Sequence, residues 1–547
     1  MLQRPAPGVD PALTSTGESD RPPGSARLID RVPGAWWSSG WDARVVAALV
    51  VAAAILRVPN LGRAYWVDEG ISIGIASGPL TQIPHLLRLD GSPPLFYAVL
   101  HLWLRVFGAS PVSTHVLALL ISLAVIPVAF WAGRTLFGRE AAYAAAGLAA
   151  TSPFLTWYGT ETRMYTMLVG LCLVSLTFTV RAVRYRIRRD AFGAVVASAA
   201  IIYTHNWGLY VIAVTASVVL IRAWRSADRG LARGVIVCGL GVGLLYSPWS
   251  PTLIAQIGST AAPWAVPPGV VDLLADPATM LGGTLGVVIL PALIYGVWST
   301  RGERPLVDRD ATGILGAIGL GTLAMGWVVS SVEPSWTVRY LGVTLAALLL
   351  GLAGCLASSS RGRAMLIGVC VVCTLWGLIG SLLPNSNARY AKSNVAAVAA
   401  AARADLQPGD LVVVSQTEQL AVLRYYLPPG LTYLTPTGVV TDPKVVDWRH
   451  IVSRLQAANP CQTILPAVSA LPTGARILEI SPLRPIGSSG SAWSRAVNAQ
   501  VVSIGHLLAD QTALMPLAEY RQGTSPKPFS GVVGELYAKS SGSALCQ

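Results

Sequence analysis

From about residue 43 to residue 384 the chain repeats one pattern, an apolar block followed by a short polar turn. Each block comes near the ~20 residues that an α-helix needs to cross the hydrocarbon of a bilayer. Backbone N–H and C=O groups in hydrocarbon must find partners inside the segment, so such a series folds as packed transmembrane helices. Composition agrees: of 547 residues, 53% are hydrophobic and 12% are charged. A soluble domain carries about 25% charged residues, so a string of soluble domains is excluded. Spans are expected at about 43–58, 113–131, 141–157, 164–182, 191–204, 207–222, 233–249, 281–298, 311–330, 340–357 and 364–383.

The net charge of +13 comes from 36 Arg and four Lys against 27 acids. Its distribution is more telling than its size. The N-terminal segment and every second turn together hold 21 arginines, whereas the opposite side of the membrane region holds six: Arg57, Arg63, Arg88, Arg105, Arg163 and Arg339. By the positive-inside rule the crowded side is cytoplasmic. The basicity therefore orients a multi-pass protein of the plasma membrane, and no nucleic-acid partner is expected. Residues 94–107 form a further apolar run. If that run spanned, every later cluster would face outward, so it reads as an interfacial helix on the outer leaflet. Eleven spans then leave the N-terminus in the cytoplasm and the C-terminus outside. Residues 1–42, rich in Pro, Gly, Ser and Arg, read as a disordered cytoplasmic tail with no signal-peptide pattern.

Residues 385–547 regain charge and proline. Strand-like runs at 410–415 and 462–468, with a helix-like stretch at 445–458 between them, imply an extracytoplasmic α/β domain. The expected fold is thus an all-α polytopic membrane domain, 43–384, followed by that α/β domain. Of seven cysteines, Cys461 and Cys546 lie in the external part, where an oxidising compartment would favour a disulfide between them. Cys370 and Cys373 have CxxC spacing inside a span without His or acid neighbours, which gives no reason to expect a metal or redox role. No metal or cofactor is expected anywhere, and nothing in the sequence supports a divalent ion.

The chemistry-bearing residues gather on the outer face. Asp68 and Glu69 are followed by Arg88 and Asp90; the next outer turn carries Tyr158, Glu161, Arg163 and Tyr165. His205 and Asn206 come third, then a Pro- and Trp-rich stretch, 247–268, that reads as a flap, and last Glu333, Arg339 and Tyr340. Taken singly, acids beside a span mark a loop, arginines snorkel, and Tyr and Trp form the interfacial belt. Taken together on one side, they suit a phosphorylated lipid at headgroup depth. The planar guanidinium fork binds phosphate bidentately and stays charged, and a carboxylate can serve as general base to an incoming hydroxyl.

The order of these residues resembles the membrane-embedded glycosyltransferases of the GT-C fold, in the branch of protein O-mannosyltransferases, aminoarabinose transferases and their actinobacterial relatives. The residues that carry it are Asp68-Glu69, Pro93-Pro94-Leu95, Glu161-Thr162-Arg163-Met164-Tyr165, His205 and Arg339-Tyr340, over about 43–384. The resemblance implies an inverting transferase that takes a sugar, mannose first, from a polyprenyl-phosphate donor on the outer face. The acceptor would be a cell-envelope glycolipid, polysaccharide or secreted protein. It implies Asp68 as base with Glu69 assisting, and Arg163, Arg339, Tyr340, His205 and Arg63 around the donor phosphate. Where many relatives carry His before Pro-Pro-Leu, this chain has Asp90-Gly91-Ser92, which makes Asp90 a candidate second carboxylate. Glu161, Tyr165 and Asn206 complete the candidates. The preference for Arg over Lys and the richness in Ala look like a GC-rich, actinobacterial genome, in which pentosyl (arabinosyl) transfer is the alternative within the same family. From other classes, a flippase or transporter of lipid-linked sugars would place ionisable residues near the bilayer midplane. A scaffold would not need the acids and arginines at all.

Overall fold

The structure is a computed structural model and describes residues 40–260, 262–303, 306–382, 392–487, 490–523 and 530–541. Most of the N-terminal tail, together with Cys546, lies outside the described residues. Helix α1 (Gly40–Arg57) is followed by three short helices, α2 (Val67–Ala76), α3 (Ile83–Asp90) and α4 (Leu95–Phe107). Then come α5 (Pro111–Phe137), α6 (Arg139–Thr151), the short α7 (Pro153–Tyr158), α8 (Tyr165–Tyr185), α9 (Arg188–Thr204), α10 (Gly208–Arg225) and α11 (Arg229–Tyr246). After α12 (Ser250–Ile257), helices α13 (Asp272–Gly282) and α14 (Gly286–Ser299) make one span broken at Gly283, and α15 (Leu306–Val332), α16 (Gly342–Leu356) and α17 (Ser360–Leu382) complete the bundle.

Each of the eleven expected spans thus falls on helix. Among the described residues, seven of these helical stretches are long and apolar enough to cross a membrane. The other four, α1, α6, α9 and α16, are shorter or interrupted by charge. Helix α4 has 13 residues, a length of about 20 Å against a hydrocarbon core of about 30 Å. It buries Phe96, Tyr97, Leu100 and His101 and exposes Leu102, Val106 and Phe107.

The most extensive pairing in the bundle is α5 against α6, and small residues permit it. Gly138 (φ +100°) turns the chain back, and the buried alanines of α6 let the two backbones meet. A Cβ on Gly133 would stand 2.6 Å from the Ala141 carbonyl oxygen, the close approach that small-residue interfaces permit. Polar clamps hold both ends of α1. Buried Asp42 accepts from Arg139 Nε at 3.0 Å and Tyr143 OH at 2.5 Å. Arg57, counted in the sequence among the outer-side arginines, is fully buried. It donates to Ser122 Oγ at 2.8 Å and to the carbonyls of Ala149 and Ala150 at 3.1 Å. There it satisfies carbonyls at the C-terminal end of α6 that have no helical partner.

The C-terminal part is a six-stranded mixed sheet of order β3-β2-β1-β4-β6-β5, with β1 (Leu411–Val414), β2 (Thr432–Thr435), β3 (Gly438–Val439), β4 (Arg476–Pro482), β5 (Leu514–Tyr520) and β6 (Val532–Lys539). Strand β1 is parallel to β2 and β4, and the remaining pairs are antiparallel. Alternation along β1 splits the core. Leu411 and Val413 face a small cluster with Ile504 and Leu508 of helix Ala492–Ala509, while Val412 and Val414 join the core that continues into the bundle. The expected strand at 462–468 is helical instead (Pro460–Thr463 and Leu465–Ser469), and the helix expected at 445–458 is confined to Ile451–Ala457. Asn459 explains the first difference, because its side chain accepts from the Cys461 N–H and Pro460 sits at the first helical position. Cys461 is disulfide-bonded.

The sheet domain sits directly on α2. Beside it, the Tyr65 N–H donates to Tyr426 OH at 2.8 Å, and the Trp448 N–H donates to the Leu89 carbonyl at 3.0 Å. A Cβ on Gly70 would lie 2.6 Å from Val422, and one on Gly74 would overlap the Lys444 carbonyl. Glycine is the residue that admits this approach.

Candidate functional site

Asp68 and Glu69 occupy the first turn of α2, where the partial positive charge of the helix N-terminus favours carboxylates. Consecutive helical residues point about 100° apart, so the pair divides. Asp68 turns into a cavity of about 500 Å³ that is also lined by Asp90, Arg163, His205, Asn206, Arg339 and Tyr340. Glu69 turns the other way, into the protein, and is 3% exposed.

Two guanidiniums hold Asp68. Arg339 Nη1 donates to Asp68 Oδ2 at 2.6 Å, and Arg163 Nε stands 4.0 Å from the same oxygen. Arg163 also donates through Nη1 to Ser72 Oγ at 3.2 Å and Tyr97 OH at 3.3 Å. Burial alone would lower both guanidinium pKa values. For Arg339 the Asp68 charge and the nearby tyrosines outweigh it, for Arg163 the tyrosines, Asp68 and Asp90 do, and both are held above the ordinary value. Each stays a cation. Yet the Nε atoms of both are buried with no hydrogen-bond partner among the described residues. Two fixed cations with unused donors, beside one carboxylate, are built to receive an anion.

His205 caps the end of α9, and its Nδ1 accepts from the Trp207 N–H at 3.1 Å. That bond leaves the proton on Nε2. Burial, and then the charges of Arg163 and Arg339, pull the imidazole down to about 3, so it is a neutral donor. Its ring packs edge-on against Tyr340 at 4.6 Å, and Tyr165 stands 6.1 Å from it, under Arg163. Burial pushes the Asp90 carboxyl up, against the pull of Arg163, and Tyr97 OH donates weakly to it at 3.5 Å. Asn206 Nδ2 donates to the Gly91 carbonyl at 3.0 Å. Gly91 (φ +93°) has no room for a side chain against Thr260. The segment expected as a flap forms α12 and a turn over this cavity, to which it contributes Leu253, Gln256 and Trp264.

Four sequence candidates lie off the cavity lining: Tyr165 is fully buried beneath Arg163, and Glu69, Arg63 and Glu161 act as the frame of the cavity. Burial would raise the Glu69 carboxyl, but His115 at 2.7 Å, Arg63 and the Thr162 N–H bring it down to about 2. Arg63 is not around the donor cavity. Its Nη2 donates to the carbonyl and hydroxyl of Thr160 at 2.9 and 3.1 Å, because the chain turns at Asn60–Gly62 away from Asp68. Glu161, 1% exposed, accepts from Trp66 Nε1 at 3.1 Å and pairs with Lys392 at 2.5 Å. The Lys392 ammonium lies over the rings of Trp66, Trp157 and Tyr158 at 4.5, 5.0 and 5.6 Å. Together these bonds fix the 159–164 turn that presents Arg163. Tyr97, His115 and Lys392 were missed in the sequence. Tyr97 stands two residues after the Pro-Pro-Leu motif, a local signal in the sequence; Lys392 lies 231 residues from Glu161, where no local signal joins them. Among the described residues no three of His, Cys, Asp or Glu are grouped as a metal ion would need.

The sequence matches the family model for dolichyl-phosphate-mannose-protein mannosyltransferase over residues 91–250. No curated protein matches it by sequence. Among solved structures it is similar to ArnT from Cupriavidus metallidurans bound to undecaprenyl phosphate (TM-score 0.60, 15% identity, 93% of this chain and 100% of that one). It is also similar to the archaeal oligosaccharyltransferase AglB from Archaeoglobus fulgidus, in complex with an inhibitory peptide and a dolichol-phosphate (0.55, 12%, 90% and 81%). A third is the arabinofuranosyltransferase AftD from Mycobacteria (0.54, 16%, 93% and 40%). The chain has the GT-C fold, a helical membrane domain followed here by a C-terminal sheet domain.

Proposed function

We propose that this protein is an inverting glycosyltransferase that uses a polyprenyl-phosphate sugar on the outer face of the plasma membrane, with its N-terminus in the cytoplasm and its sheet domain outside. One observation carries the reading: the Asp68 carboxylate is held beside Arg339 and Arg163 in the wall of a cavity of about 500 Å³. The donor phosphate would take the free donors of the two arginines and the Nε2–H of His205. The acceptor hydroxyl oxygen attacks the anomeric carbon from the face opposite the phosphate, and its proton passes to Asp68. The sugar–phosphate C–O bond breaks, its electron pair stays with the polyprenyl phosphate, and the guanidiniums stabilise the growing charge. A phosphate is a good enough leaving group to need no general acid. Glu69, Arg63, Glu161 and Lys392 hold this apparatus in place without touching substrate.

Mannose is the first choice of sugar because residues 91–250 match the mannosyltransferase model. Arabinose follows from the likeness to AftD, and the acceptor is a glycan or protein of the cell envelope. The test is transfer from polyprenyl-phosphate mannose by the purified protein and by Asp68→Asn. The wild type should transfer, and the variant should lose roughly 10²–10⁴-fold in rate, the usual worth of a positioned base. A wild type that transfers no sugar from any polyprenyl phosphate, yet moves such lipids across liposomes, would make it a flippase.

A further inference from the structure

A second cavity, of about 770 Å³, lies between the loops of the bundle and the sheet domain. Asp68, Arg339 and Trp264 line both cavities, so the two meet at the carboxylate. Part of its wall is a run of indoles. Trp264 and Trp448 stand 4.9 Å apart at 64°, and Trp448 and Trp493 stand 6.4 Å apart at 48°. Gln416 and Glu418, from the segment after β1, supply polar groups to the same space.

Glu418 is the unexplained residue here. It is 5% exposed, and one oxygen accepts from Gln416 Nε2. The other, Oε2, is buried with no hydrogen-bond partner among the described residues, and the Trp264 Nε1–H likewise has none. Burial, with the Asp68 charge adding to it, pushes the carboxyl up to about 7 against the Gln416 bond. Buried polar atoms are normally satisfied. An acceptor oxygen and a donor N–H left open in one cavity are therefore offered to something that enters it.

We infer that this second cavity seats the acceptor, and that the acceptor enters as a carbohydrate. A sugar ring presents an apolar C–H face that fits an indole and a rim of hydroxyls that both donate and accept. The ring would lie on the tryptophan wall with hydroxyls on Glu418, Gln416 and Trp264 Nε1, and its reacting hydroxyl would be delivered to Asp68. An acyl chain would leave the carboxylate, the amide and the nearby Arg484 unmatched. An extended peptide would seek a strand edge, and no residue of the edge strands β3 or β5 is among the described lining residues. The identity of Asp68 as the base rests on the transferase reading above; the carbohydrate character of the second cavity rests on its own lining.

The test is direct binding, by saturation-transfer NMR and intrinsic tryptophan fluorescence, of a panel of mannosyl, arabinosyl, galactosyl and rhamnosyl oligosaccharides and of Ser/Thr-rich peptides to the full-length protein in detergent. At least one saccharide should bind saturably, and Trp448→Ala and Glu418→Ala should weaken it tenfold or more. Should either variant fail to fold, Trp448→Phe and Glu418→Gln replace them, with a several-fold loss expected. Binding of peptides alone, binding of no saccharide, or saccharide affinity unmoved by substitutions at both positions would overturn the inference. The transfer assay with Asp68→Asn is read separately. Saccharide binding without transfer would sink the enzyme reading alone, and transfer to peptide without saccharide binding would sink this one alone.

Discussion

Arg339 Nη1 lies 2.6 Å from Asp68 Oδ2, so the group proposed to bind the donor phosphate is hydrogen-bonded to the group proposed to take the acceptor proton. An incoming phosphate competes with Asp68 for the same guanidinium. Donor binding would thereby free a carboxylate oxygen before the acceptor is deprotonated, which couples the order of binding to the chemistry. Lysine cannot reproduce this, since a point charge lacks the planar fork that binds a phosphate bidentately and so draws the cation away from Asp68. Arg339→Lys is expected to raise the donor KM about tenfold or more and to lower kcat by roughly 10²–10³-fold, as loss of one charge-stabilising donor does. Steady-state kinetics at varied donor concentration check this, and an unchanged donor KM would remove Arg339 from the phosphate site.

Glu69 is expected to matter through structure, not through proton transfer. Breaking a buried pair by removing one partner costs about 3–5 kcal/mol, so Glu69→Gln should lower the thermal midpoint clearly. The pH dependence has a definite sign. A carboxylate depressed to about 2 contributes stability that is fully present above its unfolded value, near 4.3, and is lost as pH falls toward 2. The gap in midpoint between wild type and Glu69→Gln should therefore narrow from pH 5 downward. A gap constant with pH would mean that Glu69 is not held as the anion.

Lys392 ties the start of the sheet domain to the turn that carries Arg163, through Glu161 and three aromatic faces. Lys392→Met keeps much of the stem but drops the charge, leaving Glu161 buried beside Trp66 without its cation. Arg163 should then be held less firmly, with the donor KM rising several-fold and the acceptor KM unmoved. Equal rises in both constants would indicate general loosening instead.

The bundle was legible because hydropathy blocks have to become helices in hydrocarbon, and the cavity group Asp68, Asp90, Arg163, His205, Asn206, Arg339 and Tyr340 could be anticipated from its shared side of the membrane. Direction was not legible. Glu69 follows Asp68 in sequence yet faces His115, because one helical step turns the side chain away from the cavity. Arg63 was a candidate through the family resemblance and Glu161 through its place on the outer face, but loop geometry engages them with Thr160 and Lys392. In the sheet domain, the apolar run at 462–468 lacks a period that separates strand from helix, and the Asn459-Pro460 cap decided it.

His205 should contribute nothing to the pH profile of donor use between pH 5 and 8. Its imidazole is already neutral there, pulled down to about 3 by burial and by Arg163 and Arg339, and only Nε2–H remains to donate. His205→Gln keeps a side-chain N–H donor and is expected to retain much of the donor affinity with the same acid limb. His205→Ala should weaken the donor several-fold. An acid limb that shifts in His205→Gln would show a titrating imidazole and end its assignment as a neutral donor.

Gly74 of α2 is the point where backbone contact, not side-chain chemistry, holds the two cavities together. A Cβ there would overlap the Lys444 carbonyl, so the segment of the sheet domain that carries Lys444 must shift away from the helix that carries Asp68. Overpacking of this kind costs about 1–3 kcal/mol. Gly74→Ala should therefore lower the thermal midpoint and the transfer rate together, and any saccharide affinity of the second cavity with them. Gly243→Ala, in α11, meets nothing within 4 Å and supplies the control, with a neutral to slightly stabilising effect expected. A Gly74→Ala protein with wild-type midpoint and transfer would show that the sheet domain can move on α2 without disturbing Asp68.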